Sequence, residues 1–267
     1  MCLQMKAFLA LLLLLSAVPA FCWVCPACGT ANPGQICTRC SLPEVPPGMV
    51  YIPASTVVLD GDTIQVEPLF VDSDFSTYRQ VLPWMNSTIT TLQKLAEVVT
   101  GQYDSNLQFL RYTPFTGSSD GSGLTVPSGC FDLPVCSFTR IGATEYLLST
   151  GKRLPTAAEL AAAEQAGLVR RVDVYDLMAT YSTILESTMG EMLGRLAGQA
   201  MFAGYSTADE RVLWEWTSDS PAGRAAVEGP CATIYRPSGR GVAGVDCGYF
   251  NVTFRGAVTL PSTLASD

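Results

Sequence analysis

Ten cysteines stand in a chain of 267 residues, and four of them have a spacing that carries chemistry. Cys25-Pro-Ala-Cys28 and Cys37-Thr-Arg-Cys40 are two CxxC turns. Each such turn sets its two sulfurs on one side of a tight knuckle. Two knuckles together supply four thiolates in a tetrahedron around zinc. Pro26 and Gly29 shape the first knuckle, and Asn32-Pro33-Gly34 supports the return turn. The same four side chains could instead close two disulfides, the outcome an oxidising compartment favours. Zinc bound early would protect the thiols.

The other six cysteines offer less. Cys2 and Cys22 lie in or beside the first apolar segment, while Cys130, Cys136, Cys231 and Cys247 are scattered. In an exported domain these four read as structural disulfides, with three possible pairings. A redox-active pair is the sharper alternative. Histidine is absent from the chain, which excludes Ser-His-Asp hydrolysis, Cys-His proteolysis and His-ligated catalytic zinc or iron. Catalysis must then use Cys, Asp, Glu, Lys, Arg, Tyr or Ser. The composition is 48% hydrophobic and 15% charged, with net charge −8. That excludes a disordered chain and, without a clustered basic face, a nucleic-acid partner.

Lys6, the run Ala7 to Leu15 and the small residues Val18 and Ala20 describe a secretory leader over 1–20, cleaved after Ala20. An uncleaved anchor and a lipidated Cys22 are the alternatives, and only through them would this chain meet a membrane. The expected location is outside the cytoplasm: periplasm, cell envelope or extracellular space. After the ribbon of 25–40, Ser41-Leu-Pro-Glu-Val-Pro-Pro47 is a Pro-rich linker over 41–47. One domain follows over 48–259, without internal repeats.

Within that domain, Met49–Ile52 and Thr56–Leu59 read as strands, turned by Asp60-Gly-Asp62, with Thr63 to Val71 returning as another. Ser76 is placed to cap a short helix that stops at Pro83, and Asn86 or Ser87 to begin a second ending near Gly101. Residues 113–129 read as a loop. Thr139 to Thr150 reads as a helix closed by Gly151, and Thr156 with Glu159 as a capping box for a helix ending at Gly167. The apolar spacing over 173–203 predicts one or two amphipathic helices, serving as core or docking face. Short strands and loops follow Val212. Asn86-Ser-Thr88 and Asn251-Val-Thr253 fit the N-glycosylation pattern, which matters only in a eukaryotic host.

Five segments occur in a fixed order: Pro47-Gly-Met-Val-Tyr-Ile-Pro-Ala54, Leu133-Pro-Val135, Gly151-Lys-Arg-Leu-Pro-Thr156 with Glu159, Trp214-Glu-Trp-Thr-Ser-Asp219 and Asn251-Val-Thr-Phe-Arg255. Over about Gly48 to Val258 the chain resembles the sulfatase-modifying-factor family, whose founding member is the formylglycine-generating enzyme. Residues 25–40 resemble a short zinc ribbon of the CPxCGxxNP type. The first resemblance implies an α+β domain related to the C-type lectin fold and poor in regular secondary structure. Most of its motif residues read as architecture. Lys152 and Arg153 can anchor loops through carboxylates, and Thr156 with Glu159 cap a helix. Trp214 and Trp216 fill a core wedge, and Glu215, Asp219 and Arg255 are candidates for buried ion pairing.

Formylglycine-generating members carry two cysteines a few residues apart, flanked by His, Tyr and Arg, and bind copper(I) through the thiolates. Their substrate is a cysteine in a sulfatase peptide. Here the corresponding region offers Cys231 and Cys247, sixteen apart and without histidine. They are the candidate catalytic pair, and a disulfide between them is the competing expectation. Copper is implied only if they act as an oxidase. The family also places Gly-Asn before its Trp-Glu-Trp as part of a calcium site. Arg211 and Val212 stand there instead, which argues against calcium. Two function classes follow: an exported, non-catalytic or divergent accessory protein that binds a protein, peptide or glycan, and an oxidase of the formylglycine type.

Overall fold

The structure, a computed structural model, describes residues 23–99, 115–117, 123–189, 212–220, 231–236, 239–244 and 252–261. The chain divides into two compact units, with the break between Pro46 and Pro47. The first contains the ribbon. Its strands β1 (Trp23–Val24) and β2 (Ala31–Asn32) pair antiparallel, Trp23 opposite Asn32. The other described residues of the ribbon are turn and loop, held by backbone bonds within the knuckles and by the Ile36–Pro43 bridge.

The second unit, Pro47–Leu260, is a mixed α+β assembly of small sheets around few helices. Strands β3 (Met49–Ile52), β4 (Ser55–Leu59), β5 (Asp62–Val66) and β6 (Leu69–Asp72) open it. The single return strand expected from Thr63 to Val71 is divided in two. Pro68 lies at the break, where a residue without an N–H cannot continue a ladder. The hairpin β4–β5 turns through Asp60 and Gly61, both at positive φ.

Helix α1 (Tyr78–Thr88) departs further from the sequence reading. Its cap is Thr77 rather than Ser76, with the Thr77 N–H donating to Gln80 Oε1 at 2.8 Å. It also runs straight through Pro83. An interior proline costs about 3 kcal/mol. Four buried side chains on one face, Tyr78, Val81, Leu82 and Met85, offset it. Tertiary packing therefore overrides a local stop signal. The second expected helix begins later, as α2 (Leu92–Val99).

Two short strands, β7 (Thr116–Gly117) and β8 (Leu124–Thr125), and a 3-10 turn at Ser128–Cys130 occupy part of the expected loop. Helix α3 (Arg140–Ser149) is capped by the Thr139 hydroxyl, which accepts from the Gly142 N–H at 2.9 Å, and Gly151 at positive φ ends it. Helix α4 (Ala157–Gln165) carries the capping box of Thr156 and Glu159. Five of its alanines are buried. Small side chains let it lie close between the β4–β5 hairpin and the sheet beyond. Helix α5 (Val174–Met189) covers the described part of the amphipathic stretch and buries Val174, Leu177 and Tyr181. Met192, Leu193 and Leu196 lie outside the described residues.

The C-terminal strands are β9 (Trp214–Trp216), β10 (Cys231–Arg236), β11 (Gly239–Gly244), β12 (Val252–Thr253) and β13 (Ala257–Thr259). They complete two sheets: β13-β6-β3, antiparallel, and β11-β10-β9-β12, in which β9 and β12 run parallel. One apolar core gathers α1 to α3, α5 and the Trp216 face of the larger sheet. A second lies under α4 and the β3–β6 strands. No helix among the described residues is long and apolar enough to cross a membrane.

Candidate metal centre

The two CxxC segments fold into matching turns. In the first, the Gly29 N–H donates to Cys25 O at 2.8 Å and the Cys25 N–H to Thr30 O at 2.9 Å. In the second, the Ser41 N–H donates to Cys37 O at 2.9 Å and the Cys37 N–H to Leu42 O at 2.8 Å. Gly29 (φ 71°) and Ser41 (φ 59°) occupy the same left-handed position in their knuckles. Glycine is the residue that position favours, and serine fills it in the second copy.

Asn32 ties the knuckles together. Fully buried, it donates from Nδ2 to Thr30 O at 2.7 Å, and its Oδ1 accepts from the Thr38 N–H at 2.9 Å and the Thr38 hydroxyl at 3.2 Å. In the sequence Asn32 reads only as a turn former. Its signal was its place four residues after Cys28, between the two turns. Asn32→Ala removes the hydrogen bonds that tie Thr30 on one knuckle to Thr38 on the other and is expected to cost the ribbon about 1 kcal/mol. The check is metal loss to a competing chelator, which should be faster in this variant than in the parent chain.

All four sulfurs lie within 4.8 Å of one another. Cys25 and Cys40 are 3.5 Å apart, as are Cys28 and Cys37, and all four are free thiols. A disulfide would hold two sulfurs at about 2.05 Å. Four thiolates at ~2.3 Å from a tetrahedral metal are separated by about 3.8 Å. The cluster has the dimensions of a metal site. Burial pushes the Cys25 thiol up, and it pushes Cys40 up to about 12. The Thr30 hydroxyl, 3.3 Å away, and the Thr30 amide pull Cys28 down. At Cys37 burial acts upward, but the N–H groups of Cys40 and Arg39 and the neighbouring thiols outweigh it and hold the group at about 6. Backbone amides aimed at sulfur stabilise the thiolate, the form a metal binds.

The motif residues of the second unit lie in a different chemical setting. Arg255 is 1% exposed and Glu215 9%. The guanidinium donates from Nε to Glu215 Oε2 at 2.7 Å and from Nη2 to Oε1 at 3.1 Å. Its other N–H groups reach Arg170 O, Asp72 O and Ser73 O, so all five are used. The same group stacks 4.2 Å over Phe75. Burial raises the Glu215 carboxyl above the usual range, with Arg255 pulling it back.

Arg153 grips both Glu159 oxygens at 2.7 and 2.8 Å, and Glu159 Oε2 accepts the Thr156 N–H. Lys152 Nζ meets Asp72 Oδ1 at 2.6 Å. Asp219 takes the Ala157 N–H at 2.6 Å at the start of α4, and its charge acts on Arg140. Trp216 is buried and donates to Phe138 O at 2.9 Å, while half-buried Trp214 lies 5.8 Å from the Arg236 guanidinium.

Several partners escaped the sequence reading. Arg140 holds the Thr217 and Ser218 carbonyls at 2.9 and 3.0 Å, and Asp72 receives both Lys152 and the Gly256 N–H. Glu164 joins Tyr235 and Arg171. Apart from Arg171, which follows Glu164 closely in the chain, each partner lies dozens of residues away, and no local pattern marks it.

The candidate catalytic pair is only partly visible. Cys231 opens β10 opposite Gly244, and Cys247 lies outside the described residues. Arg211 does too; Val212 bridges Asp173. The expectation of disulfides fails at Cys130 and Cys136, which are buried free thiols. Both sit in the apolar core, where burial pushes each up to about 12 and keeps it protonated. No disulfide forms among the described residues. The Asn86 side-chain amide is engaged on both sides by the Leu124 backbone, at 3.0 and 2.7 Å.

No protein-family model matches the chain, and no curated protein is similar to it in sequence.

Proposed function

We propose that the chain is an exported accessory protein: a zinc-stapled ribbon joined to a domain like the sulfatase-modifying factors, retained as a binding scaffold rather than as an oxidase. The carrying observation is how the motif charges of the larger unit are used. Arg255 and Glu215 saturate one another and the surrounding backbone, and Arg153 with Glu159 closes a helix start. Groups so consumed are architecture, and a substrate would have to break them to use them. The partner class that suits such a scaffold is a protein or peptide of the envelope.

Zinc is the metal that suits the ribbon. Four thiolates in a closed set leave no position for a reacting water, so the ion would act as a staple. It would be held by Cys25, Cys28, Cys37 and Cys40. The metal supplies folding free energy and no chemistry of its own.

One observation favours the oxidase as a second reading. The β10–β11 register sets Cys231 opposite Gly244, three residues before Cys247. Residues 231–236 and 239–244 therefore run back along each other. The deciding assay incubates the full chain, preloaded with copper(I), with a Cys-x-Pro-x-Arg peptide in air and reads the peptide by mass spectrometry. An unchanged peptide is expected. Conversion of its cysteine to an aldehyde would overturn the scaffold reading.

A further inference from the structure

A ribbon that leaves the cytoplasm must keep its fold where thiols are prone to oxidation. The geometry of the four sulfurs suggests how. The two pairs at 3.5 Å are Cys25 with Cys40 and Cys28 with Cys37. Each pair takes one sulfur from each knuckle. A Cys25–Cys28 or Cys37–Cys40 bond would close within one knuckle and leave the two turns unlinked, whereas a bond across them ties one turn to the other as the metal does. A bond across the knuckles needs the two sulfurs to close from 3.5 Å to about 2.05 Å. The backbone bonds that shape each turn and the Asn32 bridge between them involve no sulfur, so they survive that closure.

Building on the metal reading, we infer that the ribbon is a redox device with two covalent states of one fold. In the reduced state the four thiolates hold the ion. In the oxidised state the Cys25–Cys40 and Cys28–Cys37 disulfides take its place and the ion is released. With hydrogen peroxide as oxidant, each pair of thiolates gives up two electrons and forms one S–S bond. The peroxide O–O bond breaks, takes those electrons with two protons, and leaves as two waters. Two peroxides thus convert four thiolates into two disulfides and free one metal ion. The cross-links bridge the same two turns as the metal, so the ribbon keeps its shape after release.

The test uses the full chain, reduced and loaded with zinc, and titrates it with hydrogen peroxide. A chromogenic chelator reads zinc release, and proteolysis under non-reducing conditions with tandem mass spectrometry reads the pairing. Trypsin cuts after Arg39 and thermolysin before Ile36, which leaves Cys25 and Cys28 on one peptide, and fragmentation at the Cys25–Pro26 bond assigns each of these two to its partner. About two peroxides per zinc released, with Cys25–Cys40 and Cys28–Cys37 peptides, is the expected result. Reductant and zinc should restore the starting state. Cys25–Cys28 and Cys37–Cys40 peptides, or zinc release with sulfinic acids and no disulfide, would overturn the switch and leave the metal reading intact. A reduced chain that takes up no zinc would overturn both.

Discussion

Arg255→Met is expected to destabilise the larger unit by about 3–5 kcal/mol, the usual cost of leaving one member of a buried ion pair alone. Glu215 would then be an uncompensated carboxylate, and the Asp72, Ser73 and Arg170 carbonyls would each lose one donor. Against a total of roughly 5–15 kcal/mol for an ordinary domain, that loss is a large share. The measurement is urea unfolding of the full chain followed by tryptophan fluorescence, to which buried Trp216 contributes. Pairing the change with Glu215→Leu should recover much of the loss, because an apolar replacement of both partners removes the buried charge altogether. A cost under about 1 kcal/mol for Arg255→Met alone would mean that the pair is solvated in solution and is not the anchor described here.

Cys37→Ser should be as damaging to the ribbon. Structural zinc contributes roughly 10–16 kcal/mol to such a module, so one of four thiolates carries about 3 kcal/mol and its loss lowers affinity about 100-fold. Cys37 is the group whose surrounding N–H donors most favour the thiolate, which makes it the most informative of the four to remove. Competition for zinc against a chelator of known strength gives the number. Cys130→Ala, which removes a protonated core thiol in the other unit, should leave zinc affinity unchanged. Equal losses from both substitutions would separate the cysteine cluster from metal binding.

The sequence made the ribbon legible because its chemistry is local. Two CxxC turns contain their own geometry, and the spacing of Cys25, Cys28, Cys37 and Cys40 suffices to bring the sulfurs together. Local signals also placed α3 and α4, where Thr139, Thr156 and Gly151 act on their own neighbours. They failed where distant packing decides. Pro83 reads as a stop, yet α1 passes through it because Tyr78, Val81, Leu82 and Met85 are buried beneath. Cys130 and Cys136 read as cross-links, yet the core that forms around them encloses them as free thiols. By type, Lys152 and Arg153 read as loop anchors and Arg255 as an ion-pair member, but Asp72, whose carboxylate holds Lys152 and whose carbonyl takes Arg255, lies some 80 and 180 residues away. Such pairings exist only after folding.

The arrangement of the larger unit explains why motif residues so rich in charge need not be reactive. Each carboxylate is placed at the end of a helix, at a backbone amide or against a guanidinium, and together they fix loops that little regular secondary structure would hold. The ribbon solves the same difficulty on a smaller scale. About twenty residues bury too little apolar surface to stay folded unaided, and a metal or a pair of disulfides supplies the remainder.

The most direct measurement of that account is native mass spectrometry of the full chain purified under reducing conditions, joined with zinc X-ray absorption. The expected result is one zinc per chain in a shell of four sulfurs at ~2.3 Å. A chain free of metal, or zinc ligated by oxygen or nitrogen, would contradict it.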